Sequence, residues 1–462
     1  MNRESCSAPV ALAPAEVSLV EATRVWAMIG WLGFGGPAGQ IALMHKELVE
    51  KRRWISDERF LHALNYCMLL PGPEAQQLAI YIGWLMHRTL GGIIAGSLFV
   101  LPGALVIFAL SWLYVSYQQL PLLAAIFVGL KAAVLAVVVD AVLRIGRRAL
   151  KNRALIGIAA TAFVAIYLFK FPFPLIVASA ALLGVAGQRY RPANFPEPAS
   201  MAALAGGDYL IDRRIASGEL DPARRSLVRP STLLLVGIAL WIAPVLAVIG
   251  VFGRDSIITR LGVMFGETAV VTFGGAYAVL AYVAQRAVES HAWLNAGEML
   301  DGLALAETTP GPLIMVVQYV AFVAAYRHPM GLSPLAAGLL GSAVTIWVTF
   351  VPSFVWIFLG APYIEALRHN RTLHAALSAI TAAVVGVILN LSVWFAVHSV
   401  FQRVEARDWG LLQLDVPVWS SWQPVSVLLA AAALIAMLRY RISMGWTLLG
   451  SAAIGAVWTL LS

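Results

Sequence analysis

Two short motifs place helix-breaking residues inside long apolar stretches. Pro71-Gly72-Pro73 lies within the apolar run 61–86, and Pro310-Gly311-Pro312 lies within the run 299–326. Proline lacks a backbone N–H and clashes with the preceding turn, so each motif should interrupt a helix. The interruption frees N–H groups and creates a new helix N-terminus with partial positive charge. Because such helix ends bind anions, we expect both motifs to contribute to an anion site.

The residues before the second motif carry a helix-start signal. Thr308 and Thr309 precede Pro310, and threonine followed by proline is typical of the first turn of a helix. The first motif follows Leu69 and Leu70 and lacks this cap. A packing kink would explain a single Pro-Gly-Pro equally well, but the duplication of the motif favours the anion site.

A second pair of motifs is rich in glycine. Adjacent glycines, as in Phe34-Gly35-Gly36 and Phe273-Gly274-Gly275, let the backbone approach a ligand or another helix closely, although small residues also serve ordinary helix packing. Gln40, Gln76 and Gln77 add amide groups near the breaks of the first half only. The residues expected to bind the anion are Phe34, Gly35, Gly36, Gln40, Pro71, Gly72, Pro73, Gln77, Lys131, Phe273, Gly274, Gly275, Thr308, Thr309, Pro310, Gly311 and Pro312.

Four of the ionisable residues inside apolar stretches are candidates for function, because charges there are costly and usually functional. Lys131 occupies the middle of the run 121–143, and we expect it to face a cavity, where it would attract a dianion. The alternative is a lysine that extends to the membrane interface. Glu74, Glu307 and Asp140 are candidates for proton coupling, because a carboxylate near an anion site repels a dianion unless it is protonated.

The elements that carry these residues are predicted to be membrane helices. The 462 residues are 60% hydrophobic and 12% charged, with a mean hydropathy of +0.81, whereas soluble domains carry about 25% charged residues. Runs able to cross ~30 Å of hydrocarbon recur thirteen times. They are 24–44, 61–86, 90–115, 121–143, 154–170, 171–187, 232–252, 263–286, 299–326, 331–360, 372–400, 423–439 and 443–461. The sequence therefore predicts an all-α polytopic membrane protein.

Several other classes of protein find no support in the sequence. The net charge of +8 lies mostly in the connections between runs, which indicates membrane topology rather than nucleic-acid binding. Cys6 and Cys67 provide no disulfide framework, and no metal-ligand spacing or cofactor motif is present. Hydrolase, protease and nucleotide-binding signatures are also missing, so we do not expect an enzyme. Residues 1–20 do not resemble a cleavable signal.

The two sets of motifs indicate an internal repeat. Phe-Gly-Gly, Trp54 and Pro-Gly-Pro all recur 239 residues later, and Pro102 recurs 250 residues later as Pro352. A polar stretch, 188–231, separates the halves and divides the chain into a membrane repeat (1–187), a cytoplasmic linker (188–231) and a second membrane repeat (232–462). Seven runs separate the starts of the two halves. An odd number inverts the second half in the membrane, as in many secondary transporters.

The topology allows two schemes. The basic connections 144–153 and 188–231 should both be cytoplasmic. If every run crosses the membrane, the basic loop 45–60 then lies outside, against the charge rule. If the Phe-Gly-Gly and Pro-Gly-Pro segments are instead re-entrant, the loop is cytoplasmic and nine full spans remain. The length of the broken runs favours crossing, and the charges favour re-entry.

Four stretches carry a resemblance to a known family. "GFGGPAGQIALM", "LLPGPEAQQLAIYIG", "TFGGAYAVL" and "LALAETTPGPLIMVVQY" resemble the chromate ion transporter (CHR) superfamily in its long, two-domain bacterial form. The resemblance implies a multi-pass inner-membrane protein that exports chromate and confers chromate resistance, with these motifs carrying transport. Met68 departs from the glutamine that the family often has before Leu-Leu-Pro-Gly-Pro.

We therefore expect a secondary transporter for a tetrahedral dianion, with chromate as substrate and the lipid bilayer as surroundings. Sulfate has the same shape and charge, so sulfate or another oxyanion is an alternative substrate. A membrane scaffold that transports nothing is an alternative of another class, although a scaffold needs no broken helices. The sequence leaves open whether the chain acts alone or as a homodimer.

Overall fold

The fold follows from a computed structural model that describes residues 17–68, 70–195, 209–220, 229–271, 273, 276–361, 370–410 and 412–461. Almost all of the described secondary structure is helical. Four of the thirteen predicted runs, 24–44, 61–86, 263–286 and 299–326, are each divided into two helices at the glycine and proline motifs. The described part of the chain is therefore an all-α membrane fold with broken helices.

Among the described residues, the first half contains seven α-helices, and a short eighth helix lies in the linker. They are α1 (Leu19–Leu32), α2 (Gly36–His45) with a π-helical turn (Lys46–Lys51), α3 (Asp57–Cys67), α4 (Glu74–Tyr117), α5 (Pro121–Ala149), α6 (Arg153–Phe169), α7 (Phe173–Tyr190) and α8 (Leu210–Ala216). Helix α4 is kinked, because His87 and Arg88 depart from helical backbone angles.

The second half begins with one additional helix, α9, and then repeats the order of the described elements of the first half. The helices are α9 (Pro230–Phe252), α10 (Ile257–Val271), α11 (Ala276–Ala284) with a π-helical turn (Gln285–Ser290), α12 (Ala296–Thr308), a 3₁₀ turn (Leu313–Met315) leading into α13 (Val316–Arg327), α14 (Pro334–Gly360), α15 (Arg371–Val400), α16 (Pro424–Leu438) and α17 (Met444–Leu461). The two π-helical turns, and the starts of α3 and α12, are 239 residues apart. The starts of α5 and α15 are 250 residues apart, so the offsets read from the motifs also separate the elements.

Six of the described helices are long and apolar enough to cross a membrane, namely α4, α5, α7, α9, α14 and α15. Shorter apolar helices of 10–17 residues add α6, the segment Leu313–Arg327, α16 and most of α17. Length and composition thus establish several spans.

Two elements were not predicted from the sequence. A β-hairpin of β1 (Val404–Asp408) and β2 (Gln413–Pro417) lies between α15 and α16. Helix α8 forms within the stretch that we interpreted only as a polar linker. Both are too short and too polar to stand out against the membrane segments.

The two halves exchange their last helices. Helices α6 and α7 of the first half pack on α15, and α16 and α17 of the second half pack on α5. Glycines allow the close approach: a Cβ built on Gly386 would lie 2.1 Å from the Ala159 carbonyl oxygen, and one on Gly129 would lie 1.9 Å from that of Ser451. Small residues at such crossings are typical of membrane helix packing.

Contacts among the connections define two faces of the molecule. On the first, the linker face, residues 209–220 lie against the loop after α2. The backbone N–H of Leu210 donates to the Arg53 carbonyl, and Arg59 pairs with Asp212 at 2.7 Å. On the second, the hairpin face, Lys170 pairs with Glu289 at 3.3 Å and with Asp415 in β2 at 3.0 Å.

Candidate functional site

Both Pro-Gly-Pro motifs interrupt the helix, as predicted. Gly72 and Gly311 adopt φ values of 113° and 91°, a region that favours glycine. After each motif a new helix begins, at Glu74 behind Pro73 and at Leu313 behind Pro312. The freed N–H groups of these starts lie inside the protein rather than at its surface.

The threonines before the second motif act differently from our prediction. Thr308 is the last residue of α12, and its hydroxyl donates to the carbonyls of Ala304 and Leu305. The Thr309 hydroxyl donates to the Ala306 carbonyl at 3.2 Å. These residues therefore complete the end of α12 instead of capping the next helix, and they satisfy carbonyls that would otherwise present negative charge.

The first Phe-Gly-Gly segment meets the second Pro-Gly-Pro motif directly. The backbone N–H of Gly311 donates to the carbonyl oxygen of Gly33 at 3.1 Å. The Gln40 amide nitrogen donates to the same Gly33 oxygen at 3.3 Å and to the Gly311 carbonyl. Gln40 is 1% exposed, so one buried amide joins the two breaks.

Glu307 lies at this junction. Its side chain is 3% exposed, and Tyr277 donates its hydroxyl proton to Oε1 at 3.0 Å. The other oxygen, Oε2, has no hydrogen-bond partner among the described residues and lies 3.9 Å from where a Cβ of Gly36 would be. The carboxyl group thus stands between the first Phe-Gly-Gly segment and the tyrosine that follows the second.

The first Pro-Gly-Pro motif packs on α14. A Cβ built on Gly72 would lie 3.0 Å from the Gln77 amide nitrogen and 3.1 Å from the Ser353 hydroxyl. Gln77 donates to the Pro71 carbonyl at 2.7 Å. Gly311 has the corresponding neighbour in the first half, since a Cβ on Gly103 would lie 2.6 Å from the Pro310 carbonyl oxygen.

The helix starts at the breaks carry no side-chain cap. This holds for α2, for α4 and for the 3₁₀ turn at Leu313. The Gln76 amide, which is 0% exposed, also has no partner for either its oxygen or its nitrogen in the described part of the chain. Buried polar groups are rarely left unpaired. Uncapped helix N-termini and free amides are groups that stabilise a bound anion.

Lys131 does not belong to this group of breaks. Its ammonium is 3.1 Å from Asp301 Oδ1, and Tyr114 donates to Asp301 Oδ2 at 2.9 Å. The ion pair connects α5 to α12, about 9 Å along the helix before Glu307. The carboxylate neutralises the positive charge that we expected Lys131 to offer an anion.

Asp140 also has a partner. It pairs with Arg144 one turn later on α5.

The remaining predicted residues lie in different places. Phe34 is exposed, Glu74 stands in the first turn of α4, and Phe273 is partly buried and packs against the main hydrophobic core. Gly274 and Gly275 lie outside the described residues. Among the described residues, no cluster of three or more His, Cys, Asp or Glu side chains could hold a metal ion.

Sequence reasoning missed Gly33, Gly103, Tyr277 and Ser353. A signal existed for three of them. Gly103 and Ser353 follow the prolines that recur at the offset of 250, and Tyr277 is the second residue after a motif already identified. Gly33 acts through its backbone carbonyl, and the residue type does not predict which backbone carbonyls take part in a site.

Comparisons with known proteins point to one family. The family model described as "Chromate transporter" matches residues 20–185 and 259–456. A chromate transport protein of Pseudomonas aeruginosa is 33% identical over 362 residues, which cover 78% of this chain and 76% of that protein. A chromate transport protein of Cupriavidus metallidurans is 28% identical over 415 residues, covering 89% and 91%. An uncharacterized transporter of Methanocaldococcus jannaschii is 23% identical over 371 residues, covering 80% and 82%. No solved structure matches the chain.

The matched segments include all four motifs, and they lie in a multi-pass helical membrane fold. The chain belongs to the chromate transporter family.

Proposed function

We propose that this protein is a secondary transporter that exports chromate across the bacterial inner membrane and confers chromate resistance. The proposal rests on the junction of Gly33, Gln40 and Gly311, where the two halves meet. Uncapped helix starts of both halves lie there beside the buried amide of Gln40. The choice of chromate as the substrate rests on the relatives that are named chromate transport proteins.

We further propose that the halves are inverted repeats related by a pseudo-two-fold axis in the membrane plane. Two contacts support this relation. Gly72 lies against Ser353, and Gly311 lies against Gly103. The offset of 239 relates the two break glycines and the offset of 250 relates their neighbours, so each contact is the counterpart of the other. Reciprocal contacts of this kind are what a two-fold axis produces.

Re-entry of the broken segments accounts best for the contacts between loops. Two contacts join the ends of these segments to the linker face. Arg214 of the linker bonds the Met86 carbonyl near the kink of α4 at 3.0 Å. The adjacent His87 bonds the carbonyl of Val17, which lies before α1, at 2.9 Å. The α1–α2 and α3–α4 hairpins would then begin and end on one face. This supports the scheme with nine full spans.

Under this scheme the equivalent helix pairs of the second half, α10–α11 and α12–α13, begin and end on the opposite face. Glu289, in the loop after α11, contacts Lys170 on the hairpin face, while Asn152 at the opposite end of α6 bonds the Asn194 carbonyl at 2.6 Å. Helix α6 spans about 25 Å between these ends. We infer that the equivalent loops after α2 and α11 fall on opposite faces, as inversion requires.

The chemistry of the site follows from its charges. Helix starts at Gly36, Glu74 and Leu313 offer backbone N–H groups to a tetrahedral oxyanion, and Gln76 and Gln77 offer amides. Glu307 repels a dianion while it is ionised. Protonation of Glu307 would admit the anion, and release of the proton would expel it, which couples a proton to each transport cycle.

Uptake of radioactive chromate into everted membrane vesicles tests the proposal. Vesicles from cells that express the protein should accumulate chromate several-fold faster than vesicles that lack it, and the cells should tolerate more chromate. An excess of sulfate distinguishes the substrates, since competition indicates a general oxyanion site. Equal uptake in both vesicle preparations, with the protein present in the membrane, would support the scaffold alternative.

A further inference from the structure

A row of hydroxyl side chains runs along one face of α14. Ser342, Thr345, Thr349 and Ser353 follow one another at intervals of three, four and four residues, which places them on the same side of the helix. All four are at most 2% exposed. None of their hydroxyl oxygens has a hydrogen-bond partner among the described residues. The row extends about 16 Å along the helix axis.

Several other helical hydroxyls in the same protein are paired, although that of Ser111 in α4 has no partner among the described residues. Thr23 donates to the carbonyl of Leu19, Thr381 to that of Leu377, and Ser392 to that of Ile388, at 2.7–3.0 Å and four residues back. This bond is the usual solution for a serine or threonine in an apolar helix. The four hydroxyls of α14 do not make it, and buried polar groups are seldom left unpaired without a function.

The lower end of the row reaches the candidate site. The Ser353 hydroxyl lies 3.1 Å from the position of a Cβ on Gly72, beside Gln77, whose amide oxygen is also unpaired among the described residues. The last hydroxyl of the row is thus adjacent to the first Pro-Gly-Pro break.

The other end of the row, at Ser342, is directed toward a cavity on the hairpin face. Gly341, next to Ser342, packs against Leu261 and Ala325, at 3.6 Å and 2.8 Å from its built Cβ. One turn further out, a surface cavity of about 380 Å³ is lined by Arg260, His291 and His328. Asp255 of the same lining pairs with Arg260 at 3.4 Å, and the guanidinium and imidazole N–H groups can donate hydrogen bonds to an oxyanion from solution.

The equivalent helix of the first half has no such row. At the offset of 250 the four positions are Gly92, Ala95, Phe99 and Gly103. That segment of α4 packs in the same fold without hydroxyls, so packing does not require them. The row is a property of the second half alone.

We propose that the hydroxyl row of α14 is the path by which a tetrahedral oxyanion moves between the cavity on the hairpin face and the break at Gly72. Each hydroxyl donates a hydrogen bond to an oxygen of the anion as water is removed from it. The inference deepens the proposed function, because it rests on oxyanion transport and assigns the residues that line one half of the route.

Two sets of variants test the row by transport. Thr345→Val and Thr349→Val keep the shape of the side chain and remove the hydroxyl, whereas Thr345→Ser and Thr349→Ser keep the hydroxyl. We expect the double valine variant to reduce chromate uptake at least five-fold and the double serine variant to retain most of it. The matched control is Thr447→Val, which removes a hydroxyl that donates to the Ser443 carbonyl. Full uptake by the double valine variant would overturn the proposal.

Cysteine accessibility tests the row independently of transport. In a background with Cys6 and Cys67 replaced by alanine, Thr345→Cys and Thr349→Cys should react with a negatively charged methanethiosulfonate, and sulfate or chromate should slow the reaction several-fold. Val344→Cys is the control, because Val344 faces Gly262 of α10. No reaction at positions 345 and 349, or no protection by either anion, would overturn the row. If wild-type vesicles fail to take up chromate while both cysteines are labelled and protected by sulfate, the chromate assignment fails and the row stands.

Discussion

The backbone N–H of Gly311 donates a hydrogen bond to the carbonyl oxygen of Gly33 at 3.1 Å. This bond joins residues 278 positions apart and connects the first Phe-Gly-Gly segment with the second Pro-Gly-Pro motif. In a membrane, backbone groups released by a helix break need partners from elsewhere in the protein. Here each half supplies a partner for the break in the other half, so the broken helices are stable only when the halves are assembled.

Substitution of Gly311 should damage this junction. Gly311 has a positive φ, and a Cβ there would approach the backbone of Gly103 at 3.0 Å. We expect Gly311→Ala to destabilise the protein by about 1–3 kcal/mol, as forced backbone strain does, and to abolish most chromate transport. Gly157→Ala is the matched control, because a Cβ at Gly157 meets no described atom within 4 Å. Thermal unfolding in detergent and vesicle uptake measure the two effects. Equal behaviour of the two variants would contradict the assignment.

Replacement of Glu307 should separate anion transport from proton coupling. Glu307→Gln resembles the protonated carboxyl group in shape and charge, so the anion should still bind. We expect exchange of chromate against chromate to continue, while uptake driven by a pH gradient falls by more than ten-fold. Tyr277→Phe removes one hydrogen bond to the carboxyl group and should have a smaller effect. Undiminished gradient-driven uptake by Glu307→Gln would show that another group carries the proton.

The ion pair of Lys131 and Asp301 should govern stability more than transport. Lys131→Met leaves the Asp301 carboxylate buried without its cation, and breaking a buried pair from one side costs about 3 kcal/mol at the lower end of the usual range. We therefore expect Lys131→Met to lower the unfolding temperature and the yield. The double variant Lys131→Met with Asp301→Asn should recover much of both. A single variant of full stability with reduced transport would restore the role in anion attraction that the sequence suggested.

Cysteine labelling in intact cells tests the inverted, re-entrant topology. A cysteine in place of Lys51 should be protected from a membrane-impermeant maleimide, because the loop after α2 lies with the linker on the linker face. A cysteine in place of Glu289 or of Arg407 in β1 should be labelled, since both belong to the hairpin face. Labelling of positions 51 and 289 from the same side would rule out inversion. Labelling of position 51 from outside would favour full crossing.

The motifs and their offsets allowed much of the fold to be predicted. Proline and glycine state their backbone requirements in the sequence, so the breaks at Gly72 and Gly311 and the pairing of equivalent elements followed from residue type alone. The topology of the segments around each Phe-Gly-Gly could not be predicted in this way, because a run of more than 20 residues can form either one membrane crossing or two shorter helices. The sequence does not contain the contacts between distant loops that bear on this choice, such as that of Arg59 with Asp212.

Side-chain roles were harder to predict than breaks. The type of Lys131 shows that it needs a partner, but not that Asp301, 170 positions away, supplies it. Thr309 matched a helix-start signal, yet its hydroxyl bonds backwards to Ala306, because the extended backbone of the Pro-Gly-Pro motif postpones the next helix to Leu313. Such outcomes depend on tertiary geometry that local patterns do not contain.

Equilibrium binding of radioactive chromate to the purified full-length protein tests most directly whether the junction of the breaks is an oxyanion site. The wild-type protein should bind close to one chromate per chain, and sulfate should compete. Gln40→Leu, which removes the amide shared by Gly33 and Gly311, should weaken binding at least ten-fold, while Gly157→Ala should bind as the wild type does. Unchanged chromate affinity in Gln40→Leu and Gly311→Ala proteins that remain folded would contradict the account.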